Sequence, residues 1–232
     1  KVTLIKIKNL AYSQKKLIPQ VNNDFIEKPL EKEKAKLRFE IGNENKEKRI
    51  KFAKKSLSKI APNTEESEIL HKIFLEKNSK SSNFFNKKTV EETQIEKSLL
   101  MHSQNMNVNG HIFGGYIIKQ ALDLAYVCAY MHCNKEIPMI FAIDNVTFYK
   151  PVIIGSVAKF VANVCYIHEE LMHVSVEVFN YVDDCIDPTL TTVVNVTYLM
   201  EKKYDNVVPG SYECGIKYLG AKRRMEKLMD FI

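Results

Sequence analysis

Within residues 111–123 the chain holds residue types that can act on a carbonyl group: His111, the run Phe113-Gly114-Gly115 and Asp123. A Gly-Gly pair entering a helix leaves backbone N–H groups unpaired at the positive end of the helix dipole. A carbonyl oxygen turning into an oxyanion is stabilised there, and glycine lets the reacting group come close. The same glycines also suit a tight strand-to-helix turn. Asp123 follows Gly115 by eight positions in a stretch otherwise made of Ile, Leu, Ala and Val. A carboxylate in such a place is costly unless it is paired, borders a cleft or occupies a solvated edge. His111 reads either as a proton shuttle or oxyanion donor or, more simply, as a solvated turn histidine. His102, His132, His168 and His173 have no spacing typical of a metal site, so neither a metal nor a separate cofactor is expected.

The elements that must position these residues follow from periodicity. Residues 97–103 read as a short strand and 104–111 as a polar turn. Residues 116–132 read as a helix apolar nearly all round, through Ile117, Ile118, Ala121, Leu122, Leu124, Ala125, Val127 and Cys128, and such a helix must be buried on most sides. Four strands are expected at 138–149, 156–168, 171–181 and 189–200, with Met172, Val174, Val176 and Val178 alternating against His173, Ser175 and Glu177. One short strand, one enveloped helix and four long sequential strands imply an α+β class: an antiparallel sheet of five to six strands curled around a single helix.

The 232 residues carry 34 basic and 28 acidic side chains, a formal charge of +6. Residues 1–98 hold 23 basic and 14 acidic side chains, whereas residues 99–232 hold 11 and 14, so the basicity belongs to the first part of the chain. A nucleic-acid role for that part is the weaker reading, because acids are interleaved with bases and stacking aromatics are scarce. From about Asn22 to Lys55 the Lys/Glu-rich texture is that of a solvated helix or linker. Asn63 then stands as the N-cap of a helix striped with Ile69, Leu70, Ile73 and Phe74. Five cysteines without a C-x-x-C pair read as reduced thiols. The chain begins at Lys1, without a signal-peptide pattern, and is read as a fragment.

The run Asn107-Val-Asn-Gly-His-Ile-Phe-Gly-Gly115, with Ala121-Leu-Asp-Leu-Ala125, Phe141-Ala-Ile-Asp-Asn-Val-Thr-Phe-Tyr-Lys-Pro-Val152 and Gly155-Ser156, closely resembles the hotdog-fold acyl-CoA thioesterases. The likeness is sharpest to the second domain of the mitochondrial two-hotdog type. It reaches back through residues 44–49 and 61–66, which look like the linker between the two domains of that family. The organisation it implies is a last strand of a first hotdog domain in residues 1–12, a charged linker at 13–94, a hotdog domain at 95–220 and a basic tail at 221–232. Where the family often has Arg before the Asn, this chain has Met106.

The resemblance implies hydrolysis of fatty acyl-CoA to a fatty acid and coenzyme A at a site shared between two subunits. In that arrangement Asn107 orients the water or the thioester, Gly115 donates to the oxyanion, and Asp123 of the other subunit acts as general base or nucleophile. His111, Phe113, Gly114 and Lys150 would line the substrate path, and Lys222, Arg223 and Arg224 would meet the coenzyme A phosphates. The acyl chain would lie near Ile118 and Leu122. Asp144 matches a family Asp, read here as an interface or strand-end hydrogen bond. The implied partners are acyl-CoA and further copies in a homo-oligomer, a dimer or a trimer of dimers, with no nucleic acid and no membrane span; the implied compartment is the mitochondrion, with the cytoplasm as alternative. Two further readings stand beside hydrolysis: a non-catalytic acyl-CoA-binding hotdog domain, and a thioester dehydratase or hydratase, which generally uses a catalytic His.

Overall fold

The computed structural model describes residues 29–54, 57, 60–78, 87–181 and 188–229. The strand expected at residues 2–8, and with it the remnant of a first domain at 1–12, lies outside the described residues. The chain divides into two compact units, 1–61 and 62–232. In the first, α1 (Pro29–Lys54) is built from good helix formers, and its apolar residues Leu37, Phe39, Ile41 and Ile50 are exposed and do not gather on one face.

The second unit opens with α2 (Thr64–Asn78), whose start carries the expected cap. The Glu66 N–H donates to Asn63 Oδ1 at 2.8 Å and the Asn63 N–H to Glu66 Oε2 at 2.9 Å. There follow β1 (Ile95–Leu100), α3 (Gly114–His132), β2 (Met139–Phe148), β3 (Val157–His168), β4 (Leu171–Tyr181), β5 (Thr189–Leu199) and α4 (Tyr212–Met229). The five strands form one antiparallel sheet in the order β1-β3-β4-β5-β2, which leaves β1 and β2 at its edges. This is the hotdog architecture expected from the sequence.

The main core lies between α3 and one face of the sheet. Ala121, Ala125 and Ala129 are fully buried, and their small side chains let the helix settle close onto Phe160, Val164, Val174, Val176, Val194 and Val196. Each fully buried Val or Ile contributes about 1.5–3 kcal/mol. The opposite face of the sheet is covered by α4, which buries Cys214, Gly215, Tyr218, Leu219, Ala221 and Met225 at helical spacing against β3 and β4. That second layer explains why His173 and Asn195 are as buried as their valine neighbours.

Two boundaries read from the sequence fall elsewhere in the structure. A domain edge at 220/221 would cut α4 in the middle, because Ala221 and Met225 continue the stripe begun by Cys214 and Tyr218. Helix α2, placed by the sequence in the linker 13–94, belongs to the second unit: Leu70 is buried against Gly215, and Glu66 pairs with Arg223. Among the described residues no helix is long and apolar enough to cross a membrane.

Candidate active site

The turn before α3 is tied by its own side chain. Asn107 Oδ1 accepts from the backbone N–H groups of Asn109 (2.9 Å) and His111 (3.2 Å), while the Asn107 N–H donates to the His111 carbonyl at 2.7 Å. Gly110, at φ +79°, closes the loop in a conformation that side chains disfavour. The Ile112 N–H then reaches the Val152 carbonyl at 3.1 Å and the Phe113 N–H the Asn105 carbonyl at 2.7 Å, fixing the turn to the segment that follows β2. Asn107, its side-chain oxygen holding the turn, also lines the cleft described below.

At the start of α3 the N–H groups of Tyr116 and Ile117 both point to the Phe113 carbonyl, and those of Gly114 and Gly115 have no acceptor among the described residues. Two free donors therefore stand together at the positive end of the helix. A Cβ on Gly114 would lie 3.2 Å from the Phe148 ring, and one on Gly115 would lie 2.5 Å from the Phe113 ring. Both glycines thus sit against aromatic rings: a side chain on Gly115 would force the Phe113 ring aside, and one on Gly114 would press the Phe148 ring by a few tenths of an ångström.

Asn107 and Gly114 line one cleft of about 380 Å³. Its other lining residues are His111, the apolar Ile112, Ile117, Phe148 and Val152, and Tyr149, Pro151 and the exposed Lys150. A cleft that is largely apolar with a few polar groups suits an elongated ligand with one reactive carbonyl.

Residues 109–186 match the family model of the thioesterase superfamily. The chain carries a thioesterase-superfamily domain. It is 30% identical over 209 residues to the mitochondrial acyl-coenzyme A thioesterase 10 of Mus musculus, covering 86% of this chain and 47% of that protein. The human mitochondrial acyl-coenzyme A thioesterase 9 is 29% identical over 199 residues, covering 82% of this chain and 45% of that protein. The chain therefore spans about half the length of the curated relatives it matches. Among solved structures, an acyl-CoA hydrolase of Staphylococcus aureus superposes with a TM-score of 0.58 at 22% identity, over 62% of this chain and 90% of that one.

Around the cleft the structure gathers Asn107, His111, Gly114 and Lys150, while Phe113 and Gly115 flank Gly114 in the chain without lining it. It does not bring Asp123 there. Asp123 lies on the exposed side of α3, 3.0 Å from Lys119 one turn earlier, and is solvated within a single chain. Nor do the three basic residues of α4 line the cleft: Lys222 stands 3.8 Å from Glu226, Arg223 forms an ion pair with Glu66, and Arg224 is turned into the protein. Phe148, Tyr149 and Ile117 belong to the cleft wall and went unassigned from sequence. The motif that runs through Lys150-Pro151-Val152 pointed to their neighbourhood, but not to the ring over Gly114.

The four cysteines among the described residues are held as thiols at neutral pH. Burial pushes Cys128, Cys133 and Cys165 up to about 12 and Cys214 to about 11, so none of the four is a ready thiolate.

Proposed function

We propose that this chain hydrolyses fatty acyl-CoA thioesters to a free fatty acid and coenzyme A. The observation that carries the reading is the start of α3, where the Gly114 and Gly115 amides have no acceptor among the described residues and Gly114 lines one cleft together with Asn107 and His111. A thioester carbonyl seated there places its oxygen against the two donors, and the negative charge that develops as water attacks falls on the end of the helix dipole. Asn107 Nδ2 orients the water or the thioester. The water must lose a proton, and a carboxylate is the natural acceptor.

Asp123 supplies that carboxylate from a second subunit, since within its own chain it faces solvent. The second copy docks along β2, an edge strand that exposes Ile140, Phe141 and Ile143. A solved thioesterase described as hexameric, 26% identical with a TM-score of 0.56, supports higher assembly of such pairs. Lys150 meets the coenzyme A phosphates at the cleft edge. The mitochondrial relatives support a mitochondrial location.

The solvated position of Asp123 also favours a second reading, in which a lone chain binds acyl-CoA without turnover. Free-thiol release from a panel of acyl-CoAs decides between them. Turnover that collapses in Asn107→Ala and Asp123→Asn supports the proposal. Binding without turnover by the wild type rejects it, and turnover indifferent to both substitutions rejects the site.

A further inference from the structure

Two apolar residues of the cleft lining stand beside Gly114. Ile117 follows it by three residues, so the two share one face of α3. Phe148 ends the edge strand β2, and the tip of its ring is turned to the same glycine: a Cβ on Gly114 would lie 3.2, 3.4 and 3.9 Å from Phe148 Cζ, Cε1 and Cε2. The space between the start of α3 and the ring is therefore too narrow for even one added carbon without pressing the ring aside.

The ring has little room to retreat. Phe148 pairs with Thr192 and Thr192 with Val178, which puts all three on the sheet face that α3 covers. Thr192 and Val178 are both 0% exposed, so the sheet beside the ring is already filled. The backbone that carries the ring is tied as well, since the N–H groups of Tyr149 (2.8 Å) and Lys150 (3.3 Å) both donate to the Thr191 carbonyl. Phe148 itself is half-exposed, and the only way open to its ring is outward.

We propose that Phe148 is a specificity-determining residue of the cleft, admitting acyl groups that are unbranched next to the carbonyl and excluding those branched there. The proposal rests on the thioesterase reading and deepens it by naming the class of acyl group. With the carbonyl oxygen at the start of α3 and coenzyme A leaving past Lys150, the acyl group turns to the apolar side formed by the buried Ile112, Ile117 and Val152. Its first carbon, one bond from the carbonyl, then lies between Ile117 and the Phe148 ring. A methylene passes along a flat ring there, whereas a methyl branch needs the space that the ring occupies. A branch one carbon further on has left the ring behind. One methyl too many in a filled pocket is worth about 10–200-fold in specificity.

The test measures kcat/KM by thiol release from butyryl-CoA and from its two methyl-branched derivatives, one branched at the carbon next to the carbonyl and one at the carbon after it. The two branched compounds are isomers, so their ratio depends neither on total hydrophobicity nor on the fraction of protein that is active. In the wild type the isomer branched next to the carbonyl should be slower by about tenfold or more. The ratio should fall to within about twofold in Phe148→Ala and to an intermediate value in Phe148→Leu. Circular dichroism checks that both variants fold, as a half-exposed position at a strand end allows. Equal rates for the two isomers in the wild type overturn the proposal, and so does a ratio that persists in both variants. If the wild type releases no thiol from any acyl-CoA, the thioesterase reading falls, and titration calorimetry with the same compounds decides the role of Phe148. Weaker binding of the isomer branched next to the carbonyl, relieved in Phe148→Ala, then supports it, whereas equal binding or none rejects it.

Discussion

Asn107 uses one end of its amide to hold its own turn and keeps the other for a ligand, so its removal acts twice. Asn107→Ala frees the N–H groups of Asn109 and His111 and deletes the donor facing the cleft. Thiol release should fall by about 10²-fold or more, the size associated with losing one oriented donor. The far-ultraviolet circular dichroism should be unchanged, because the turn lies outside the regular elements; a proportional loss of helix signal would instead mark misfolding. Gly115 belongs to the same scale. In Gly115→Ala the new methyl meets the Phe113 ring, which must swing away from the start of α3. Activity should drop with little change in the urea midpoint. Equal activity would show that the space above Gly115 is not used by the substrate.

At the scale of elements, α4 is a structural layer of the domain. Its buried stripe makes Met225→Ala a cavity-forming change expected to cost about 2–4 kcal/mol in urea unfolding. Met229→Ala, at an exposed position on the same helix, should cost less than about 0.5 kcal/mol. A cost as small for Met225 would mean that the helix is only loosely laid on the sheet. The stripe was present in the sequence, with Cys214, Tyr218, Ala221 and Met225 spaced for one helical face. The adjacent Lys222, Arg223 and Arg224 drew attention to charge and obscured it. Helix α2 is a second case: its apolar stripe is legible in the sequence, but only the contact of Leu70 with Gly215 shows that it belongs with the domain.

Across the whole molecule, the buried His173 and the half-buried His132 set a response to acid. Burial, reinforced by Arg224, lowers His173 from 6.5 to about 3; burial, reinforced by Lys88, lowers His132 to about 4. The unfolded chain takes up protons at both as pH falls below about 6.5, while the folded chain takes them up only near the lower values. Stability is therefore full above that range and declines as pH drops through it. The urea midpoint should be lower at about pH 5 than at about pH 7.5, with a shallower decline in His173→Gln. An unchanged midpoint in wild type would show these imidazoles to be solvated. Assembly belongs to this scale as well. Ile140→Lys places a charge on the exposed edge of β2, and sedimentation should show dissociation together with loss of thiol release. A monomeric variant that kept full turnover would remove the need for Asp123 from a second copy.

The sequence by itself determined the order of β1, α3 and the four long strands and singled out the turn before α3, but not helix α4. Period-two strands, an apolar helix of small residues and a Gly-Gly entry are local patterns, and local sterics and hydrophobic burial write them directly into residue order. What only the tertiary structure decided are the relations between distant positions. Phe148 comes to lie over Gly114, Leu70 of α2 comes to pack on Gly215 of α4, and Asp123 ends exposed beside Lys119 and outside the lining of its own cleft. Such relations depend on strand order and on which face of the sheet each helix covers. They are fixed by packing between segments far apart in the chain, which no local periodicity carries.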